Sequence, residues 1–469
     1  IQSVCVFPTQ EATGRQASGN SLDAQVRRYF AWAEAKTRTE PFLAYVQAAS
    51  LGHVSVPGLQ RAHENGRTLA LYKTTFDDFL WTGIECSNPL SPNGERWDQL
   101  ALTGVYQPEH RRRQLGLMAA HSLNNVRLGI PNHLVAEEGW QRMDAVMADF
   151  CSAGVKVSLD LQHFGLPDAF HKPDDPERSD YLNPAWPDHF VDFALQAVDR
   201  YLHALSAITL INEPLITNRF SATHWNEAMP GDYDHPRYVE FFVRRALYIA
   251  TAAVRARLAI ERRLQAQERR IVFIHNESCE FQPDRPNFNL YSRFLTSDLI
   301  LGHGWLLEGD FRDTAIYAWM AEHMDVAELD PALASLKAQH LEFAAIFGKT
   351  MRADTVFGVD YYHGCESVRV GYSYTLGTDL DGYAKDVAEG KRRGLARICL
   401  EYWDRYQLPL LHTETNFASD SGEADWGMMQ LAEFAQLAKV GVPILGFTWY
   451  SLMDQFNWHD ALQGSPQNL

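Results

Sequence analysis

Residues 187–214 read PDHFVDFALQAVDRYLHALSAITLINEP. In the first part, 187–204, apolar side chains recur three and four apart, the period of an amphipathic helix. The run AITLI that follows (207–211) is short and apolar without alternation, as suits a parallel strand buried on both faces. It ends in two polar groups, Asn212 and Glu213, at the strand's C-terminal end.

The same unit recurs along the chain. Helix-like 110–124 leads into NVRLGIP (125–131), 138–153 into GVKVSLDLQHFG (154–165), and 238–266 into RIVFIHNES (270–278). Segment 332–347 precedes DTVFGVDYYHG (354–364), 392–407 leads into LPLLHTETN (408–416), and 427–440 leads into VPILGFTWYSL (442–452). With FLWTGIE (79–85) as the first, the pattern gives eight strands separated by helices. It predicts an α/β fold, a closed (β/α)8 TIM barrel. An open doubly wound sheet would carry a Gly-rich phosphate turn after its first strand, and FLWTGIECSNP has none. The barrel is expected over 75–469 and a helical N-terminal extension over 1–74. Within that extension, 21–50 is helix-like. It is expected either to pack where the eighth helix would lie or to form a separate cap.

The chain's 469 residues suffice for one large barrel, and 46% hydrophobic with 22% charged residues is globular composition. A net charge of −17 argues against nucleic acid and against anionic lipid as partners. No apolar run approaches the ~20 residues that span a bilayer. The opening IQSVCVF lacks the basic and apolar regions of a secretion signal. The six cysteines are far apart with no C-x-x-C, so they read as small core residues in a cytoplasmic protein. No H-E-x-x-H or clustered Asp/His set suggests a metal, and no cofactor is expected.

The polar residues gather where barrel enzymes keep their sites: Arg127, His163, Asn212, Glu213, Asn276, Glu277, Asp360, Tyr362 and Glu414 all follow apolar runs. Among them Glu213 and Glu414 end the fourth and seventh strands, which lie across such a ring from each other. Glycoside cleavage needs such a pair, one carboxylic acid for the leaving oxygen and one carboxylate to attack or to activate water. Either Glu alone reads as an ordinary loop carboxylate; the two together, with these neighbours, read as catalytic. Glu277 reads as a residue that orients a neighbour, and His275, His303 and His363 read as structural.

These residues carry a resemblance. TLINEP is similar to the T-F-N-E-P of glycoside hydrolase family one, the retaining β-glycosidases, and LLHTETN to its I-T-E-N-G. SLDLQHFGLP resembles T-L-Y-H-W-D-L-P, FGVDYYHG resembles G-I-N-Y-Y, and GFTWYSLMDQFNW resembles G-Y-F-x-W-S-L-L-D-N-F-E-W. FLW (79–81) and NVRLGI (125–130) resemble the family's first two strands, so the likeness runs over about residues 76–460 in the family's order. The resemblance implies a carbohydrate substrate, Glu213 as acid and then base, and Glu414 as nucleophile. It also implies Asn212 on the sugar 2-hydroxyl, Arg127 and Tyr362 on Glu414, and His163 on a sugar hydroxyl, with Tyr450 and Trp458 as aromatic faces.

The chain also departs from the family. The first-strand Gln has no counterpart; Glu85 or Asn88 stands nearest. The sugar-binding Glu of F-E-W is Asn457, the Trp before S-L-L-D is Tyr450, the Asn of N-Y-Y is Asp360, and the Asn after the nucleophile is Thr415. These changes predict a rebuilt glycone pocket around a retained carboxyl pair. Trp140, Trp186, Trp225, Trp305 and Trp426 fall near loops, where some are expected to line an aglycone cleft. The readings left open are a retaining hydrolase, a transglycosidase using the same glutamates, and a glycan-binding barrel without turnover.

Overall fold

The computed structural model describes residues 71–72, 74–90, 96–172, 174–223, 237–282, 285–366, 369–370, 373–374, 380–389, 391–417, 423–439 and 441–453. Segment 21–50, Trp225, Asn457 and Trp458 lie outside them.

Eight parallel strands close into a barrel in which every strand pairs with its neighbours in sequence and the last pairs with the first. They are β1 Leu80–Ile84, β2 Asn125–Gly129, β3 Lys156–Asp160, β4 Leu205–Thr209, β5 Val272–Ser278, β6 Thr355–Asp360, β7 Leu410–Glu414 and β8 Ile444–Trp449. The continuous apolar runs are explained by burial on both faces; every residue of β2, β5, β6, β7 and β8 is buried.

Helices cover the outside: α1 Pro108–Ala120, α2 Gln141–Ser152, α3 Trp186–Tyr201, α4 Tyr238–Ala266, α5 Val326–Phe347, α6 Leu395–Tyr406 and α7 Glu423–Lys439. In α3 the buried residues Phe190, Phe193, Ala194, Ala197, Val198 and Tyr201 follow the helical period and form the inward stripe. The buried set on α4 is broader and includes Ala246, Ala250, Ala252, Ala253 and Ala256, and α4 packs against α3.

The barrel interior is layered. Near the N-terminal ends it is apolar: Trp81, Ala207, Val272, Ile274, Val356, Leu411 and Leu445 form one cluster. Tyr72 and Phe76 join this cluster and close the floor, with the Tyr72 hydroxyl donating to the Thr355 carbonyl at 2.8 Å. Leu71, Tyr72 and Phe76 therefore pack as part of the barrel. Near the C-terminal ends the inward residues turn polar, and Asp360 and Glu414 stand in register on adjacent strands. That change of layer is what makes a site at this end. Among the described residues no helix is long and apolar enough to cross a membrane.

Candidate active site

The polar layer is organised by one guanidinium. Arg127, at the middle of β2, is buried and reaches three partners. Its Nη1 donates to Glu414 Oε1, and its Nη2 donates to Asp160 Oδ2 at 2.6 Å and to Asn212 Oδ1 at 2.5 Å. Burial works against the charge on Arg127, but Asp160, Glu414 and Asp360 outweigh it and hold the guanidinium protonated. Arg127 thus ties the ends of β2, β3 and β7 to the turn after β4.

Glu414 ends β7. Its second oxygen accepts from the Tyr362 hydroxyl at 2.9 Å, so both oxygens are held. Asp360 ends β6 and accepts from Thr413 and from Asn276 Nδ2, each at 2.5 Å. Gly358 makes this possible: a β-carbon there would lie 2.5 Å from that of Asn276 and 2.6 Å from the Thr413 hydroxyl. Asn276 also donates to Asn212 Oδ1, so the Asn212 carbonyl is pinned from two sides.

Glu213 stands apart from this network. Its backbone has φ +39°, a left-handed conformation that costs a non-glycine residue about 1–3 kcal/mol. Pro214 then opens the helix Pro214–Thr223, and the Leu215 N–H is accepted by both oxygens of Glu277, at 3.1 and 3.0 Å. Ser297 donates to the same Glu277 carboxyl at 3.0 Å. Glu277 therefore fixes the turn that displays Glu213. The Glu213 carboxyl itself meets no donor among the described residues, and the residue is buried. One oxygen each from Glu213, Asp360 and Glu414 lies within 4.8 Å of the others.

Two carboxyls across one barrel mouth thus sit in different surroundings. Burial raises both. Glu213 rises well above the usual carboxylate range, because Asp360, Glu414 and Glu277 add negative charge and no donor offsets them. Glu414 rises less, because Arg127 and His163 pull it back. The bonds from Arg127 and Tyr362 favour charge on Glu414 over Glu213, the division that two-carboxyl chemistry requires. The three acidic groups titrate as a set.

A second cluster adjoins the first. His163 Nδ1 pairs with Asp160 Oδ2 at 2.8 Å, Asn212 Nδ2 lies 3.3 Å from His163 Nε2, and Glu85 Oε1 lies 3.6 Å from that same nitrogen. Burial would depress the imidazolium, but Cys86, Glu85 and Asp160 hold it well above the usual histidine range. Cys86, Asp160 and His163, like Glu213, Asp360 and Glu414, are donor types that could ligate a cation. Arg127 already bonds one member of each set and supplies positive charge there.

Most residues expected from the sequence therefore meet at one place: Glu213, Glu414, Arg127, His163, Asn212 and Tyr362. Tyr450 is different. It is 1% exposed, its ring stacks on His163 at 5.9 Å, and its hydroxyl donates to the Ile84 carbonyl at 3.2 Å. It fits there because Gly83 lacks a β-carbon, which would lie 2.1 Å from the ring. It backs the pocket and offers almost no face of its own. Trp186 and Trp426 are core residues, fully buried, and not cleft walls. Thr415 also points inward, bonded to the Tyr361 carbonyl and to Trp426 Nε1. Asp160 and Thr413 join the site without belonging to the residues expected from the sequence. Asp160 had a usable signal, since a carboxylate ending a strand three residues before His163 sits at the site end of the barrel.

Two expectations follow. Replacing Arg127 by Met leaves Asp160 and Glu414 buried without their cation, and such unpaired charges cost about 3–5 kcal/mol. Denaturant unfolding at neutral pH should show a loss of that order; a change under about 1 kcal/mol would contradict the pairing. Glu277 is pushed up to about 8 by burial, despite the N–H of Leu215 and the hydroxyl of Ser297. A carboxyl raised on folding contributes stability at low pH that is lost as pH climbs from the ordinary carboxylate range through that value. Glu277→Gln accepts the same N–H without a charge to bury. Its stability should fall less than wild type between about pH 5 and pH 8, and equal slopes would remove Glu277 from the account.

No family model matches the sequence, and no curated protein matches it by sequence. Solved structures do match. A family 1 β-glucosidase from Thermotoga maritima is 15% identical over 83% of this chain and 91% of its own, with a TM-score of 0.56. The β-glucosidase from the same organism in complex with noeuromycin is 16% identical at the same coverage, with a TM-score of 0.58. Its complex with cyclophellitol gives 15% and 0.57. This chain shares their barrel fold.

Proposed function

We propose that this protein is a retaining β-glycosidase that works by double displacement. The observation that carries the reading is the pair itself. Glu213 and Glu414 bring carboxyl oxygens within 4.8 Å of each other, one held by Arg127 and Tyr362, the other without a donor. Retaining enzymes hold their carboxyl groups ~5–5.5 Å apart and inverting ones ~6.5–9.5 Å, and oxygens this near each other favour the closer arrangement.

In the first step Glu414 attacks the anomeric carbon from the α face. Glu213 gives its proton to the glycosidic oxygen as that bond breaks. In the second step Glu213, now a carboxylate, takes a proton from water. The water attacks the same carbon and releases Glu414. Asn212, pinned by Arg127 and Asn276, presents its amide N–H to the sugar's 2-hydroxyl, a contact that strengthens in an oxocarbenium-like transition state. Arg127 and Tyr362 orient Glu414 for attack and receive its charge when the ester breaks. The fold shared with β-glucosidases supports this reading.

The test is release of aryl alcohol from a panel of β-glycosides (glucoside, galactoside, fucoside, mannoside, xyloside, glucuronide) by wild type and by Glu414→Gly. Glu414-dependent release from any of them supports the reading. Added alcohols that appear in glycoside products would move it to a transglycosidase. Binding without release across the panel would replace it with a glycan-binding barrel.

A further inference from the structure

The turn that displays Glu213 is held from outside the barrel wall. Strand residues alternate between faces, and on β5 Val272, Ile274 and Asn276 point into the barrel. His275 and Glu277 therefore share the outward face. There Ser297, from the helix Arg293–Leu301, bonds to both. His275 Nε2 lies 2.9 Å from Ser297 Oγ, and Ser297 donates to Glu277 Oε1 at 3.0 Å. A serine hydroxyl has one proton to give, so Ser297 takes the N–H of His275 in turn. Glu277 then accepts the Leu215 N–H. His275, Ser297 and Glu277 are all buried.

This chain ends just past Glu213. Just before Glu213, the Asn212 N–H donates to the Gln162 carbonyl at 2.8 Å, and the Thr217 hydroxyl donates to the Asn212 carbonyl at 2.8 Å. Glu213 sits between these anchors with φ +39°. Such a conformation persists only where its surroundings over-determine it. Apolar side chains would fill the space behind β5 without desolvating polar groups. What a satisfied polar chain adds there is direction. We infer that Ser297 and His275, the latter read as structural from the sequence, are positioning residues for Glu213, acting through Glu277 and the Leu215 N–H. Their effect on an acid rests on the glycosidase reading above and deepens it.

The experiment measures kcat/KM for the phenyl and dinitrophenyl β-glycosides of whichever glycone is turned over. Phenol needs the proton of Glu213 to leave, and dinitrophenol scarcely does. In Ser297→Ala and in His275→Phe, the loss on the phenyl substrate should exceed the loss on the dinitrophenyl one by about tenfold or more. That is short of the about 10²–10⁴-fold expected when the acid is removed outright. His275→Gln, whose amide can still bond Ser297, should recover most of the difference. A general disturbance of the fold lowers both substrates alike, so equal losses overturn the inference, as does no loss on either. His275→Gln no better than His275→Phe overturns it too, since the ring and not its bond would then be what matters. If Ser297→Ala fails to fold, the two His275 variants carry the same test.

Hydrogen exchange at the Leu215 amide needs no substrate and separates the two claims. In Ser297→Ala and His275→Phe it should speed up by about tenfold relative to the amides of β2. That result, with no turnover of any glycoside by wild type, would sink the glycosidase reading and keep the hold on the Glu213 turn. Turnover by wild type with unchanged Leu215 exchange in both variants would do the reverse. Unchanged exchange without turnover overturns both.

Discussion

Glu414→Gly lowers turnover of any aryl β-glycoside substrate by at least about 10⁴-fold, a loss of about 5 kcal/mol of transition-state stabilisation. Added azide restores part of it and yields the α-glycosyl azide. The reason is geometric. Glu414 is held by Arg127 and Tyr362 on one side of the pocket, so its removal leaves an anion-sized gap facing the α side of the sugar. Arg127 stays charged there and favours a small anion in the vacated place. Azide attacks from that side, the β-linked leaving group departs with the help of Glu213, and inversion gives the α product. A β-azide, or no rescue from a folded variant, would mean that Glu414 is not the nucleophile.

Glu213→Ala gives the mirror result. Loss of a general acid costs about 10²–10⁴-fold, and the cost should grow as the leaving group becomes more basic. A dinitrophenyl glycoside needs little proton donation and still forms the glycosyl-enzyme. That ester then waits for a base, so azide attacks it from the β face and yields the β-glycosyl azide. The same residue sets the alkaline limb of kcat/KM, because only protonated Glu213 can donate. Asp360, Glu414 and Glu277 raise it. Asp360→Asn removes one of those negative neighbours while keeping a side chain that can accept from Thr413, so the alkaline limb should move to lower pH. An unmoved limb would show that Asp360 does not act on Glu213. Equal losses for good and poor leaving groups in Glu213→Ala would remove its role as acid.

Much of this was legible before any coordinates. Buried parallel strands leave continuous apolar runs, and eight of them interrupted by helical periods admit few closed topologies. Polar residues that end such runs lie at one end of the barrel, so Arg127, Asn212, Glu213, Asp360 and Glu414 could be gathered from spacing alone. What spacing could not supply is direction and partner. Tyr450 follows a strand end like the others, yet its hydroxyl turns back to Ile84 through the room that Gly83 leaves, and its ring is spent on His163. Trp426 falls near a loop in sequence but is needed inside, against Tyr361, Tyr383 and Phe417. Asp160 ends its strand three residues before His163, which marks the site end of the barrel, but its partners Arg127 and His163 are visible only in the fold. Glu277 read as an orienting residue; that it caps the turn behind Glu213 required the fold.

The central claim is that one carbon is attacked twice, first by Glu414 and then by water on the opposite face. The most direct measurement is the anomer that wild-type enzyme releases first, followed by proton NMR from mixing onward with whichever panel substrate is turned over. The expected product is the β-anomer, with the α-anomer appearing later by mutarotation. An α-anomer formed first would contradict double displacement, whatever the mutants show.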